Sequence, residues 1–273
     1  MIKKVFGILK IVVSICFYWL LKVFFSKNKI GKRMEAKYLS SGIVIDCLEK
    51  YIIDRINITG ELEKTNKVNI LLANHNSTID FAIICGMMYK YNIEDFYFIF
   101  KNSIMKVPIL GDILKDDINI KRNWDSDKVN LVEQIKKIEK GYIIIYPEGT
   151  RFSLKKHKES KIFSVQNKLP IFNYTLCPRV KGSHLIFSLL FELNKLGKII
   201  DMTIIFSQFV GKELYLNKVL TCKELGILEI IFREISFDKN DLIYENFKNK
   251  IFMIWLQKNI LIDKIYQNNK LIN

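Results

Sequence analysis

From about residue 65 the chain alternates two kinds of apolar pattern. Short runs such as "KVNILLA", "DFYFIF", "YIIIYP", "KIIDMTIIFS" and "ILEIIFREI" are dense in β-branched and aromatic residues and read as strands. Between them, residues 79–90, 125–140, 155–168 and 183–196 place apolar side chains at helical spacing. Strands that alternate with helices predict an α/β fold, a mainly parallel central sheet flanked by helices. No internal repeat and no low-complexity linker interrupts the series.

The first 55 residues follow a different pattern. "VFGILKIVVSICFYWLLKVFF" is apolar but broken by Lys10 and Lys22. Its uninterrupted core, Ile11 to Leu21, amounts to about 16 Å of helix at 1.5 Å per residue, against roughly 30 Å of bilayer hydrocarbon. The segment therefore either spans with both lysines snorkelling or lies in the interface. Residues 34–54 predict a second, more amphipathic helix. The expected organisation is a membrane-associating helical segment over 1–55 and an α/β domain over 56–273. Lys27, Lys29, Lys32 and Arg33 make the C-terminal flank the more basic one, which places the α/β domain on the cytosolic side.

Charge narrows the class of partner. The 43 Lys and Arg against 28 Asp and Glu leave a formal net charge of +15, which suits an anionic partner. With 49% hydrophobic residues as well, the balance favours an anionic membrane surface over nucleic acid. No zinc finger, RNP-type aromatic motif or isolated basic tail is present. Part of the excess is compositional, since Lys, Ile and Asn are abundant throughout. Five scattered cysteines, none in a C-x-x-C pair, read as reduced thiols.

Candidate chemistry begins at "NHNSTID", Asn74 to Asp80, which holds one of only three histidines. Residues five apart face away from each other on a continuous helix or strand. His75 and Asp80 can meet only where the chain turns, and Asn76, Ser77 and Thr78 are turn and N-cap residues ahead of an apolar helix. Asp80 falls in the first helical turn, where the macrodipole favours an anion. A carboxylate on one ring nitrogen fixes the tautomer and leaves the other to accept a proton, the layout of a general base. The alternative for the pair is an ordinary hydrogen-bonded loop contact. No H-E-x-x-H or C-x-x-C spacing surrounds His157 or His184, so no metal site is expected. A second cluster closes "YIIIYPEGTRFS", where Pro147 ends a strand and releases Glu148, Gly149, Thr150 and Arg151 into a loop. Ligands in open α/β sheets gather outside the carboxyl ends of strands, so both clusters fit one crevice. Arg151 offers a planar fork for a phosphate, with Glu148 placed to hold that fork. The alternative there is a surface turn with an ion pair.

Taken together, the two clusters resemble the glycerolipid acyltransferase family, which includes the 1-acylglycerol-3-phosphate (lysophosphatidate) acyltransferases. The first signature of that family, N-H followed by four residues and D, matches Asn74, His75 and Asp80; its E-G-T-R signature matches Glu148 to Arg151. Between them "KNSIMKVPILGDILKDDINIKRNW" is similar to the family's second block, with Pro108 and Gly111 ahead of Arg122. "NHNSTIDF", "KKHKES" and "LPIFNYTLCPRVKG" resemble the eukaryotic-type branch, and the likeness covers roughly residues 65–206. The resemblance implies acyl transfer from acyl-CoA, as co-substrate, to a lysophospholipid acceptor, with lysophosphatidate first among the candidates. His75 and Asp80 would be catalytic. Arg122, Glu148, Gly149, Thr150 and Arg151 would hold the acceptor's phosphate, and no metal or organic cofactor is implied. The expected location is a membrane, with the α/β domain facing the cytosol, at the endoplasmic reticulum in a eukaryotic cell. Another lysophospholipid or glycerol-3-phosphate as acceptor, a hydrolase, and a non-catalytic basic membrane-binding protein are the alternatives.

Overall fold

The computed structural model describes residues 45–106, 114–222 and 224–272, together with 41–43 and residues 2, 5–7, 9, 10, 12 and 13. Most of the expected N-terminal membrane segment, and Pro108 and Gly111 of the second block, lie outside the described residues. Among the described residues no helix is long and apolar enough to cross a membrane.

A helical stretch ending in a π-turn at Leu48–Ile52 leads into β1 (Arg55–Thr59) and β2 (Val68–Ala73). Then come α1 (Asp80–Lys90), β3 (Phe96–Lys101), β4 (Ile118–Ile120), α2 (Trp124–Lys136) and β5 (Gly141–Ile145). Two helices follow in succession, α3 (Leu154–Gln166) and α4 (Val180–Glu192), before β6 (Leu196–Phe206). The chain closes with the short α5 (Leu216–Thr221), β7 (Ile227–Glu234) and the long α6 (Tyr244–Ile272).

The seven strands form one sheet in the order β1-β7-β6-β2-β5-β3-β4. All neighbours are parallel except β6 and β7. The sheet is therefore mostly parallel and flanked by helices, as the alternation of patterns predicts. Every residue of β2 is buried, which is the reason its apolar run is nearly continuous: helices cover both faces of a parallel sheet. On one face Ile83, Ile84, Met87 and Met88 of α1 pack with Ile45, Leu48 and Ile52 against Leu71, Ile144 and Met202. On the other, Leu131 and Ile135 of α2, Phe187 and Leu190 of α4, and Phe247, Ile251 and Trp255 of α6 cover Ile70, Leu72 and Ile143.

Two strands escape the hydrophobic pattern. β1 is exposed at both ends and only half-buried between them, and β4 is three residues long within a charged stretch. The helix expected at 183–196 starts at Val180 and stops at Glu192, because residues from Leu196 onward are drawn into β6. β2 lies between β5 and β6, with Leu72 level with Ile145 and Ala73 level with Met202. The segments leaving β2, β5 and β6 thus emerge side by side at one rim of the sheet.

Candidate active site

Asn74 is the first residue beyond β2, and its side chain extends the sheet. Its amide nitrogen donates to the Ile204 carbonyl at 2.8 Å, and its amide oxygen accepts from the Ile204 N–H at 2.8 Å. This pair locks the chain to β6 just where it turns. His75 then swings back over β5. Its N–H donates to Glu148 Oε1 at 3.2 Å, and its carbonyl accepts from the Phe152 N–H at 2.7 Å. The imidazole stacks on the Tyr146 ring, with centroids 4.3 Å apart and planes 23° from parallel. Stacking sets the plane of the ring, and His75 Nδ1 lies 3.0 Å from Asp80 Oδ2.

Asp80 is fully buried and gathers more than the imidazole. Its Oδ2 also accepts from the Ser77 N–H at 2.8 Å, and its Oδ1 accepts from the Ser77 hydroxyl. Ser77 is therefore not the cap expected for α1: Ile79 occupies the N-cap position without a side-chain cap bond. The hydroxyl of Ser77 donates to Asp80 while accepting from the Ile79 N–H at 3.2 Å. The result is a tight turn wrapped around one carboxylate, which holds the His75 tautomer with a proton on Nδ1. Nε2 is then the ring nitrogen left to take a proton, and a quarter of the His75 side chain is accessible.

The second cluster is brought beside the first, with one change of partner. Glu148 does not hold Arg151. It is buried and accepts from two backbone amides, His75 at 3.2 Å and Leu176 at 3.2 Å. It ties the His75 loop to the segment ahead of α4. Burial pushes its carboxyl up to about 7, against the two amides and the nearby His75 and Lys258, which favour the anion. Arg151 instead donates to the Thr78 hydroxyl at 2.9 Å and lays its guanidinium on the Tyr215 ring, 4.8 Å from the centroid. Gly149, at φ +67°, makes the turn that joins these residues. Arg122 reaches the Gly149 carbonyl at 3.0 Å and itself stands at φ 66°, a strained setting for a side chain with a Cβ. Thr150 accepts from Lys156 Nζ.

Two cations absent from the expected set join the cluster. The Lys156 ammonium is pushed below its usual range by partial burial and by Arg151, Arg122 and Arg179 around it. Arg179 donates its N–H to the Pro147 carbonyl at 2.7 Å, and its side chain lies against Gly149. Four cations, Arg122, Arg151, Lys156 and Arg179, thus converge around the Gly149 turn. Both additions lie in runs singled out for their resemblance, "KKHKES" and "LPIFNYTLCPRVKG", but no local spacing marks either as a site residue. Tyr146 was missed for the same reason: it reads as the last apolar residue of a strand.

Behind the site α6 supplies a brace. Lys258 is fully buried, donates to the Met202 carbonyl at 2.6 Å, and pairs with Asp201 Oδ1 at 2.7 Å. Asn259 accepts from the Tyr174 N–H at 2.8 Å and donates to the Thr175 hydroxyl at 2.8 Å, fixing the segment that carries Leu176 to Glu148. Acyl transfer also needs a donor for the oxyanion; of the loop amides at Asn76, Ser77 and Thr78, Ser77 N–H is committed to Asp80 and Thr78 N–H to the Leu214 carbonyl. Asn76 N–H is the remaining candidate. Among the described residues no group of three or more His, Cys, Asp or Glu side chains is placed to hold a metal ion.

The raised Glu148 carboxyl carries a pH signature. Between its ordinary range near 4.5 and about 7 the unfolded chain is ionised while the folded protein keeps the proton. The contribution of Glu148 to stability is therefore complete below about 4.5 and is lost as pH rises through 7. The expected loss relative to Glu148→Gln is on the order of 2–3 kcal/mol between pH 4.5 and 8. Denaturant titrations of both proteins across that range measure it, and parallel pH dependences would refute it.

Comparison with known proteins agrees with the geometry. A family model described as "Acyltransferase" matches residues 55–179. The chain is 30% identical over 167 residues to the "Probable 1-acyl-sn-glycerol-3-phosphate acyltransferase 5" of Arabidopsis thaliana, covering 56% of this chain and 44% of that one. It is 27% identical over 186 residues to "Lysocardiolipin acyltransferase 1" of Mus musculus, covering 65% and 48%. The chain thus spans less than half the length of either curated relative. Among solved structures, the 1-acyl-sn-glycerophosphate (LPA) acyltransferase PlsC from Thermotoga maritima superposes with a TM-score of 0.52 over 95% of this chain and 98% of that one. At 12% identity the likeness speaks for the fold.

Proposed function

We propose that this chain, whose residues 55–179 match the acyltransferase family and which is similar to 1-acyl-sn-glycerol-3-phosphate acyltransferases, moves a fatty acyl group from acyl-CoA to the free hydroxyl of lysophosphatidate, giving phosphatidate. The observation that carries this reading is the juxtaposition of the His75–Asp80 pair, hydrogen-bonded at 3.0 Å, with four converging cations. His75 Nε2 takes the acceptor's hydroxyl proton as its oxygen attacks the thioester carbonyl. The carbon–oxygen bond forms, the carbon–sulfur bond breaks, and the imidazolium returns the proton to the leaving thiolate. The acceptor alcohol is itself the nucleophile, so no acyl-enzyme is needed. Incubating the purified protein with labelled acyl-CoA and a panel of lysolipids tests the reading. Labelled phosphatidate supports it, whereas free fatty acid alone points to a hydrolase and no product to a non-catalytic protein. The similarity to a lysocardiolipin acyltransferase favours a second acceptor class, lysocardiolipin, since it too offers a hydroxyl near a phosphate; the same panel separates the two.

In this reading the acceptor's phosphate meets Arg151 and Arg122. A charge-assisted hydrogen bond contributes about 1.5–3 kcal/mol, so Arg151→Ala or Arg122→Ala raises the KM for acceptor roughly 10- to 150-fold. Arg151→Lys recovers little, because an ammonium reproduces neither the fork nor the stack on Tyr215. Varying each substrate separately checks this: a loss confined to acyl-CoA would move the arginine to the donor side.

The acceptor is a membrane lipid, and α3, beginning three residues after Arg151, presents a face that suits a lipid surface. Leu154, Ile162 and Val165 are exposed on it alongside Lys155 and Lys158, the mixture of apolar and basic side chains that settles at an anionic interface. Ile162→Glu with Val165→Glu should lower cosedimentation with phosphatidylserine-containing vesicles and leave turnover on detergent-dispersed substrate intact. Unchanged vesicle binding would remove α3 from the membrane face.

A further inference from the structure

A groove of about 400 Å³ opens between the start of α2, the outer face of α4 and the start of α6. Its walls are aromatic and its margins cationic. Trp124, 41% exposed, stands on α2, and Tyr244, 37% exposed, stands at the head of α6. Lys128 lies one turn beyond Trp124, Lys181 lies in the first turn of α4, and Leu185 adds an apolar surface. His184 fixes one wall: its Nε2 bonds the Leu242 carbonyl at 2.8 Å, and its ring meets Tyr244 edge-to-face at 5.2 Å.

Neither lysine pairs with a carboxylate among the described residues. Of the acidic residues nearby, Asp127 accepts from the Lys121 and Asn123 amides, and Glu245 pairs with Lys248. Exposed aromatic faces flanked by unpaired ammonium groups match a ligand that is flat, aromatic and phosphorylated. Base–aromatic stacking and charge-assisted phosphate contacts are the two interactions such a ligand makes.

The groove's place on the sheet says which ligand that is. Trp124 is two residues from Arg122, and Lys181 two residues from Arg179, so the groove opens beside the cation cluster and outside the acceptor site. β4, which leads into α2, is three strands from β2, roughly 14 Å at the usual interstrand spacing. A donor whose thioester lies at His75 and whose nucleotide lies at the groove must carry an extended arm between them, as acyl-CoA does. We propose that this groove seats the phosphorylated adenosine end of the acyl donor, with the adenine between Trp124 and Tyr244 and its phosphates at Lys128 and Lys181. The inference rests on acyl-CoA being the donor.

The test uses adenosine 3′,5′-bisphosphate as the probe, by calorimetry on the full chain and by inhibition kinetics. It should compete with acyl-CoA and not with the acceptor. Trp124→Ala should weaken its binding roughly 5- to 150-fold, and Lys181→Ala should erase most of any preference for acyl-CoA over acyl-3′-dephospho-CoA. These side chains are exposed, and circular dichroism verifies that the variants fold. Wild-type affinity for the probe in Trp124→Ala, Tyr244→Ala and Lys181→Ala alike would place the nucleotide elsewhere, overturning the groove assignment while leaving the donor reading intact. Transfer from an acyl-carrier-protein thioester and none from acyl-CoA would overturn the donor reading and, with it, the assigned occupant.

Discussion

His75→Ala loses transfer by roughly two to four orders of magnitude, the usual contribution of a positioned general base, while the protein stays folded. The second half of that expectation comes from how residue 75 is held. Its structural bonds are made by the backbone: N–H to Glu148 and carbonyl from Phe152. Alanine keeps both. What it removes is the imidazole that stacks on Tyr146 and meets Asp80. Single-turnover assays on purified protein, alongside thermal unfolding, separate chemistry from folding. A variant that keeps more than a few per cent of activity would rule out His75 as the base. A variant that loses activity only by unfolding would leave the assignment without support.

Asp80→Asn is expected to cost nearly as much turnover, and in this protein it costs stability as well. Loss of the carboxylate opposite a catalytic histidine allows the wrong tautomer, which lowers turnover by about 10⁴ in the best-studied serine-protease triad. Here the buried carboxylate accepts from His75, the Ser77 N–H and the Ser77 hydroxyl. An asparagine amide presents two donors where Asp80 offers only acceptors, so at least one buried partner is left unsatisfied, at about 1–3 kcal/mol. The expected pattern is a fall in kcat with KM for either substrate changed by a few-fold at most, and a lower melting temperature. A large rise in the acceptor KM with unchanged kcat would instead make Asp80 a binding residue.

Both effects trace to a feature readable along the chain, and the rest of the site does not. A histidine and an aspartate five apart, separated by turn residues between a strand and a helix, contain their geometry locally. So do the strands β2, β5 and β6, whose apolar runs are long enough to declare burial on both faces. The half-exposed β1 and the three-residue β4 fall below that signal. The E-G-T-R run located the second cluster but not its bonds. Glu148 and Arg151 are near in sequence, and pairing them is the natural local guess; the fold gives Glu148 the amides of residues 75 and 176 instead.

The sequence by itself determined the layered α/β architecture and the His75–Asp80 turn, because each element and the turn depend on periodicity or spacing within a dozen residues; the resemblance to a family came from the ordered set of motifs between residues 65 and 206. Tertiary structure alone decided that Glu148 is a buried strut, that Lys156 and Arg179 complete a ring of cations, and that Lys258 and Asn259 on the last helix brace the loop behind it. Those contacts join segments separated by as many as 85 residues. Such pairings are chosen by the order in which strands assemble in the sheet, and by the cost of leaving a buried charge or amide without a partner, neither of which local pattern carries.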